Sequence, residues 1–267
     1  MPFSFKPKKS LGQYFLISQK IANRLVSALT LTNQDIVLEI GAGFGILTTR
    51  LCQQANKVYA VEIDNRLIPL LQENTKQYQN INIINQDILT INWREFKNIK
   101  IIGNIPYQLS SKIFLKLLEY TDIWKIAVIT TQREFANRLL AKPNTNGYCA
   151  LTVLYDFYTE REKLLTIPPS AFKPSPPITS TALIIRKYPS PLFSDIELKK
   201  FSIVVEKAFK QPRKTIVNNL SLNLKIPKTL LLAIAHKNNF DLNQRATSFS
   251  ASQFYQLTNL LIANKLI

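Results

Sequence analysis

From Asp35 to about Lys187, short apolar runs alternate with stretches of helical period. Ile36–Ile40, Lys57–Glu62, Ile81–Ile84, Lys100–Gly103 and Lys125–Ile129 are continuous or nearly continuous apolar runs bounded by polar residues and glycine. They predict buried strands, because a strand covered on both faces has no polar side to alternate with. Between them, Ile46–Ala55, Arg66–Gln79, Ser110–Glu119 and Arg133–Leu140 predict helices. Leu151–Tyr158 and Ser180–Arg186 predict two closing strands, paired as an antiparallel hairpin at one edge. Strand–helix alternation of this kind predicts an α/β fold of Rossmann-like type, a mostly parallel seven-stranded sheet with helices on both faces.

The pattern changes at Tyr188-Pro189-Ser190-Pro191. Beyond it Asp195–Phe209, Arg213–Leu220, Pro227–Asn239 and Ser250–Lys265 predict helices, with Pro227 at a helix start and Ser250 as an N-cap. Two domains are expected: residues 1–189 as the catalytic domain and residues 190–267 as a small all-α domain. The chain has 267 residues, ample for a real core.

Charge then narrows the partners. Thirty-four Lys+Arg against 17 Asp+Glu leave a net +17. The excess is dispersed, +10 before Ser190 and +7 from there on. Such a balance suits a phosphate backbone, although it could also serve solubility alone. No apolar run approaches the roughly 18 residues of a membrane span; the longest lies near Leu230–Ala235. The first residues carry no apolar signal segment, and the two cysteines, Cys52 and Cys149, lack metal-like spacing. With a single His236, these features predict a cytoplasmic protein with no metal and no membrane partner.

The first predicted strand ends in Glu39-Ile40-Gly41-Ala42-Gly43-Phe44-Gly45. Glycines there allow a sharp turn and a close approach to a ligand that a Cβ would block. The acid-x-Gly-x-Gly-x-Gly spacing differs from the dinucleotide fingerprint and resembles that of S-adenosylmethionine-dependent methyltransferases. Glu62 ends the second strand, where a carboxylate can accept from both hydroxyls of a ribose. Asp87 ends the third, placed to accept from an adenine amino group, and Asn104 ends the fourth. Strand carboxyl ends are where open α/β sheets bind ligands, and four of them aligned predict a cofactor site.

After the fourth strand comes Asn104-Ile105-Pro106-Tyr107, which resembles the Asn/Asp-x-Pro-aromatic motif of enzymes that methylate exocyclic amino nitrogens. An aniline-like amine is a poor nucleophile because its lone pair is delocalised into the ring. The Asn104 side-chain oxygen and the Ile105 carbonyl can accept its N–H groups and favour a pyramidal nitrogen. Pro106 fixes the turn, and Tyr107 offers a face on which an extruded base can stack. A cytosine-C5 methyltransferase would need a nucleophilic cysteine, which neither Cys52 nor Cys149 resembles. Phe172-Lys173-Pro174-Ser175-Pro176-Pro177 is a proline-stiffened loop. If it returns to the pocket, Phe172 would face Tyr107 across the target base.

Together with Lys9-Ser10-Leu11-Gly12-Gln13-Tyr14-Phe15-Leu16, Phe209–Thr215 and Gln244-Arg245-Ala246, these motifs make the chain resemble the small-subunit ribosomal RNA adenine dimethyltransferases (the KsgA/RsmA family) from Lys8 to about Leu261. The resemblance implies transfer of two methyl groups to N6 of each of two adjacent adenosines near the 3′ end of 16S ribosomal RNA. It implies a pre-assembled small subunit (a pre-30S particle) as substrate and a monomeric enzyme acting in ribosome biogenesis. It also implies that Tyr14 and Leu16 line the S-adenosylmethionine pocket with Gly41, Glu62, Asp87 and Asn104. Tyr14 stands where the family usually has Asn or His, Pro212 interrupts a usual basic run, and Cys149 replaces a usual Gly. Two alternatives stay open: a macrolide-resistance-type methyltransferase of 23S ribosomal RNA, and a catalytically silent ribosomal RNA-binding assembly factor.

Overall fold

A computed structural model of the chain describes residues 5–8, 11–189 and 198–267. Lys9 and Ser10 of the N-terminal motif, residues 190–194, and residues 195–197 of the first predicted C-terminal helix lie outside the described residues. The chain divides into two compact units, Met1–Ala136 with Glu160–Lys187, and Asn137–Thr159 with Tyr188–Ile267. The second unit thus draws on two stretches of the chain, Asn137–Thr159 and the segment from Tyr188 onward.

In the first unit a two-residue strand β1 (Phe15–Leu16) precedes helix α1 (Gln19–Ser27), capped by the Ser18 hydroxyl. The sheet then follows as β2 (Ile36–Ile40), β3 (Lys57–Val61), β4 (Ile81–Ile84), β5 (Ile99–Asn104) and β6 (Trp124–Gln132). Helices α2 (Thr48–Cys52), α3 (Ile68–Thr75) and α4 (Ser110–Glu119) connect them, and α5 (Arg133–Leu139) follows β6. Helix α6 (Ala150–Tyr158) belongs to the second unit; β7 (Thr159–Ile167), β8 (Phe172–Lys173) and β9 (Ser180–Lys187) come next. The strand order is β4-β3-β2-β5-β6-β9-β7, parallel from β4 to β6, with β9 antiparallel to β6. The chain leaves β2 in one direction through β3 and β4, then returns to β5 on its other side. The crevice of this open sheet therefore falls between the carboxyl ends of β2 and β5, the switch point at which such sheets bind ligands.

One prediction is overturned. Leu151–Tyr158 is helix α6, not a closing strand, and the edge strand is β7 just after it. The run is rich in β-branched and aromatic residues, but Thr152, Val153, Leu154, Tyr155, Phe157 and Tyr158 are all buried. A helix apolar on nearly every side reads like a buried strand, and tertiary burial outweighs local propensity. Strand β7, Thr-Glu-Arg-Glu-Lys-Leu-Leu-Thr-Ile, hides behind its charges, which suit a sheet edge.

The sheet core is built from Val37, Leu38, Val58, Ile101, Ile102, Val128 and Ile184, each no more than 2% exposed. Gly103 has no room for a side chain: a Cβ there would lie 3.0 Å from both Ile40 Cβ and Ile105 Cγ2. Glycine thus lets β5 and its following loop close tightly on β2.

In the second unit α6 is joined by α7 (Leu198–Ala208), α8 (Ile216–Leu224), α9 (Lys228–Lys237) and α10 (Ala251–Ala263). Ser250 and Gln253 form a capping box at α10. Phe157 packs on Phe201, and Phe254 on Phe249 and Phe209. Buried Asn219 accepts from Gln211 N and donates to the Gln211 carbonyl, which closes the Gln211–Thr215 loop on α8.

Candidate active site

A cleft opens at the switch point, the place where open α/β sheets bind ligands. It is lined by Tyr14, Gly41, Gly43, Glu62, Asp87, Asn104, Ile105, Pro106 and Tyr107. Residues chosen from five separated stretches of sequence thus meet in one place.

The glycine loop forms one wall. Gly41 and Gly43 have φ of +77° and +57°, a region that side chains rarely adopt. A Cβ on Gly41 would approach the Asn104 carbonyl oxygen at 3.5 Å, and one on Gly43 would press on the Phe15 ring at 3.2 Å. The loop is tied to the end of β3 by Gly41 N and Ala42 N, both donating to the Val61 carbonyl.

Glu62 sits just past β3. One carboxylate oxygen accepts from Gly43 N at 2.9 Å and the other from Asp64 N at 2.8 Å. These bonds fix the carboxylate in the cleft, while burial raises its pKa. Asp87 accepts from Leu89 N at 2.9 Å, a local turn that holds the side chain at the opposite wall.

Asn104 is the last residue of β5. Its side-chain nitrogen donates to the Tyr14 carbonyl at 2.9 Å, so its side-chain oxygen remains an acceptor. Ile105 is 2% exposed, and the Ile105 N–H donates to Thr130 O across β6. Tyr107 opens a short turn before α4. Its hydroxyl is 2.5 Å from the hydroxyl of fully buried Ser180, and the Tyr14 ring stacks on its ring at 5.5 Å and 23°.

Four expected residues are not in the cleft. Phe172 is a core residue, 3% exposed and in register with Leu16 across the β1–β8 pair. It does not line the cleft that Tyr107 lines. Leu16 and Glu39 line a smaller adjoining pocket, which Gly41, Gly43 and Asn104 also border. Glu39 is 1% exposed; one oxygen accepts from Thr48 Oγ1 at 2.6 Å, and Oε1 has no partner among the described residues. Burial pushes its carboxyl up to about 8. Gly45 turns away to scaffold: a Cβ there would meet Leu71 Cδ1 at 2.9 Å. Burial raises the Cys52 thiol to about 12, as befits an inert core cysteine.

Several further residues contribute to the site. Gln13 and Phe15 line the cleft beside Tyr14, and Ile63 lines it next to Glu62. Ser180 and Asp64 act from behind it. Gln13 was legible as part of the N-terminal motif; the links from Ser180 to Tyr107 and from Asp64 to Gln13 carried no sequence signal, because the partners are distant in the chain.

Comparison with known proteins agrees across the whole length. The family described as ribosomal RNA adenine dimethylase matches residues 4–263. The protein named ribosomal RNA small subunit methyltransferase A from Bacillus cytotoxicus is 38% identical, over 99% of this chain and 94% of that protein. Its counterpart from Bacillus mycoides is 37% identical over the same shares. Among solved structures, a dimethyladenosine transferase from Plasmodium falciparum superposes with a TM-score of 0.82 at 26% identity, covering 94% of this chain and 98% of that one. The 23S rRNA methyltransferase ErmE superposes with a TM-score of 0.72 at 28% identity, covering 93% and 99%.

Proposed function

The chain belongs to the ribosomal RNA adenine dimethylase family, and from that premise we propose that it dimethylates N6 of two adjacent adenosines near the 3′ end of small-subunit ribosomal RNA within a pre-30S particle. The enzyme is an S-adenosylmethionine-dependent ribosomal RNA methyltransferase. We read it as a cytoplasmic monomer. Among the described residues no helix is long and apolar enough to cross a membrane.

The observation that carries the reading is the placing of Asn104. Its amide nitrogen donates to the Tyr14 carbonyl, which leaves its side-chain oxygen to accept from an incoming amine. With the Ile105 carbonyl it can accept both N–H groups of adenine N6. That favours a pyramidal nitrogen with a localised lone pair. Tyr107, steadied by Ser180 and covered on one face by Tyr14, offers its other face to the base.

The donor side fits the nucleoside of S-adenosylmethionine. Glycines line it where a Cβ would intrude, and two carboxylates, Glu62 and Asp87, face it as acceptors for ribose hydroxyls and an adenine amino group. When bound, this cosubstrate supplies a methyl on a sulfonium, already activated for in-line displacement by nitrogen. The chain's own part is positioning, the term that well-oriented reactions draw on most. The N6 proton can pass to solvent after transfer, so neither a histidine nor a cysteine is required.

Small-subunit RNA is favoured over 23S RNA by the full-length likeness to proteins named for the small subunit. The test is incubation of purified protein and labelled S-adenosylmethionine with small subunits lacking the modification, followed by mass spectrometry of RNA fragments. Two neighbouring N6,N6-dimethyladenosines near the 3′ end are expected. Label confined to large-subunit RNA would replace the target, and particle binding without label would mark an assembly factor.

A further inference from the structure

Asp64 stands two residues beyond Glu62 and outside the cleft lining, yet its carboxylate is fully buried. It accepts from Arg66 Nε at 2.9 Å, from Arg66 Nη2 at 2.6 Å and from Gln13 Nε2 at 2.8 Å. The Arg66 guanidinium holds its pKa well below the usual carboxylate range. An ordinary turn cap would need only its bond to Arg66 N at 3.2 Å. The bond to Gln13 spans 51 residues and reaches another chain segment.

That segment is the floor of the cleft. Leu11, Gly12, Gln13, Tyr14 and Phe15 all line it. Both ends of the Gln13 amide are used, since its oxygen accepts from Lys8 N at 2.7 Å. Arg66 reaches earlier residues instead, donating to the Lys6 carbonyl at 3.2 Å and lying 4.8 Å over the Phe5 ring. The residue after Gln13 supplies the carbonyl that orients Asn104. The main-chain N–H of Asp64 meanwhile holds Glu62.

We infer that Asp64 is a positioning residue that, through Gln13, holds residues 11–15 in place over the donor side of the cleft and so sets the affinity for S-adenosylmethionine and its demethylated product. The inference rests on the reading of the cleft as the donor site. The bond joins a neutral amide to a charge, so removing either side costs more than an ordinary hydrogen bond.

A swap of roles tests it. Gln13→Glu sets a carboxylate against Asp64, and Asp64→Asn removes the charge that Gln13 binds. Each is expected to weaken binding of S-adenosylhomocysteine roughly tenfold or more in calorimetry. Each should also speed hydrogen exchange at residues 11–15 more than in the strands of the sheet. Combining Gln13→Glu with Asp64→Asn restores one donor facing one acceptor and is expected to recover most of the affinity. Should either single variant fail to fold, Gln13→Ala reports the same loss without introducing a charge. Wild-type affinity in the single variants, or a pair no better than their summed losses, overturns the inference while leaving the donor site standing. A wild-type protein that binds no S-adenosylhomocysteine would instead remove the donor-site reading itself, and this inference with it.

Discussion

The side-chain amide of Asn104 donates to the main-chain carbonyl of Tyr14 across 90 residues of sequence, at 2.9 Å. That bond fixes which end of the amide is which, because the nitrogen is turned to Tyr14 and the side-chain oxygen is left to accept. The contribution of Tyr14 here runs through its backbone carbonyl and does not depend on its side chain. Asn104→Ala removes the acceptor. Single-turnover methyl transfer should fall about 100- to 1,000-fold, by analogy with deleting one preorganised hydrogen-bonding group that acts on the transition state. Affinity for S-adenosylhomocysteine should stay within about tenfold of wild type. Undiminished transfer in that variant would take Asn104 out of the mechanism.

Tyr107 is steadied at its hydroxyl by Ser180 and on one face by Tyr14. Stacking of a base on an aromatic ring is worth about 1–3 kcal/mol, so Tyr107→Ala should lower kcat/KM for the particle roughly 5- to 150-fold. Tyr107→Phe and Ser180→Ala keep the ring and lose only its tether; each should raise KM a few-fold with kcat nearly intact. Steady-state kinetics on unmodified small subunits separates these cases. Equal losses in Tyr107→Phe and Tyr107→Ala would mean that the hydroxyl, and not the ring, matters.

The strands β2, β3, β5 and β6 were legible to within three residues at either end, because buried parallel strands are apolar throughout. The glycine loop and the Asn104 strand end were legible for a similar reason: only particular residue types satisfy a close approach or a double acceptor. Helix α1 went unread although Ser18 caps it and Ala22, Leu25 and Val26 mark its buried face. At α6 and β7 the cues ran the wrong way, with an aromatic, β-branched helix followed by a charged strand. Within the motifs, Glu39 and Gly45 serve the scaffold and Phe172 the core. Sequence spacing gives no sign of which face of a turn meets the ligand and which meets Leu71 or Thr48. Pairings such as Gln13 with Asp64 or Tyr107 with Ser180 depend on the closed fold and have no local trace.

Glu39 makes stability depend on pH. Burial raises its carboxyl from the usual 4.5 to about 8, and the nearby Glu62 charge adds to the rise. Between those values the folded protein keeps a proton that the unfolded chain has released. Stability from this group is therefore full below about pH 4.5 and is lost as pH rises through 8, by at most about 1.4 kcal/mol per pH unit. The lowered pKa of Asp64 acts only at acid pH and lies outside this window. Glu39→Gln keeps an acceptor for Thr48 and cannot titrate. Thermal melts from pH 5.5 to 8.5 should show a flatter slope in the variant and a higher melting temperature than wild type at the alkaline end. Parallel slopes would assign the dependence to other groups.

The methyl donor is expected in the cleft between β2 and β5, within reach of Asn104. Diffraction from crystals soaked with S-adenosylhomocysteine would locate it. The expected density runs along Gly41 and Gly43, with the ribose hydroxyls on Glu62, the adenine amino group near Asp87 and the sulfur end toward Asn104 and Tyr107. Density for the nucleoside anywhere else on the protein, with this cleft filled only by solvent, would contradict it.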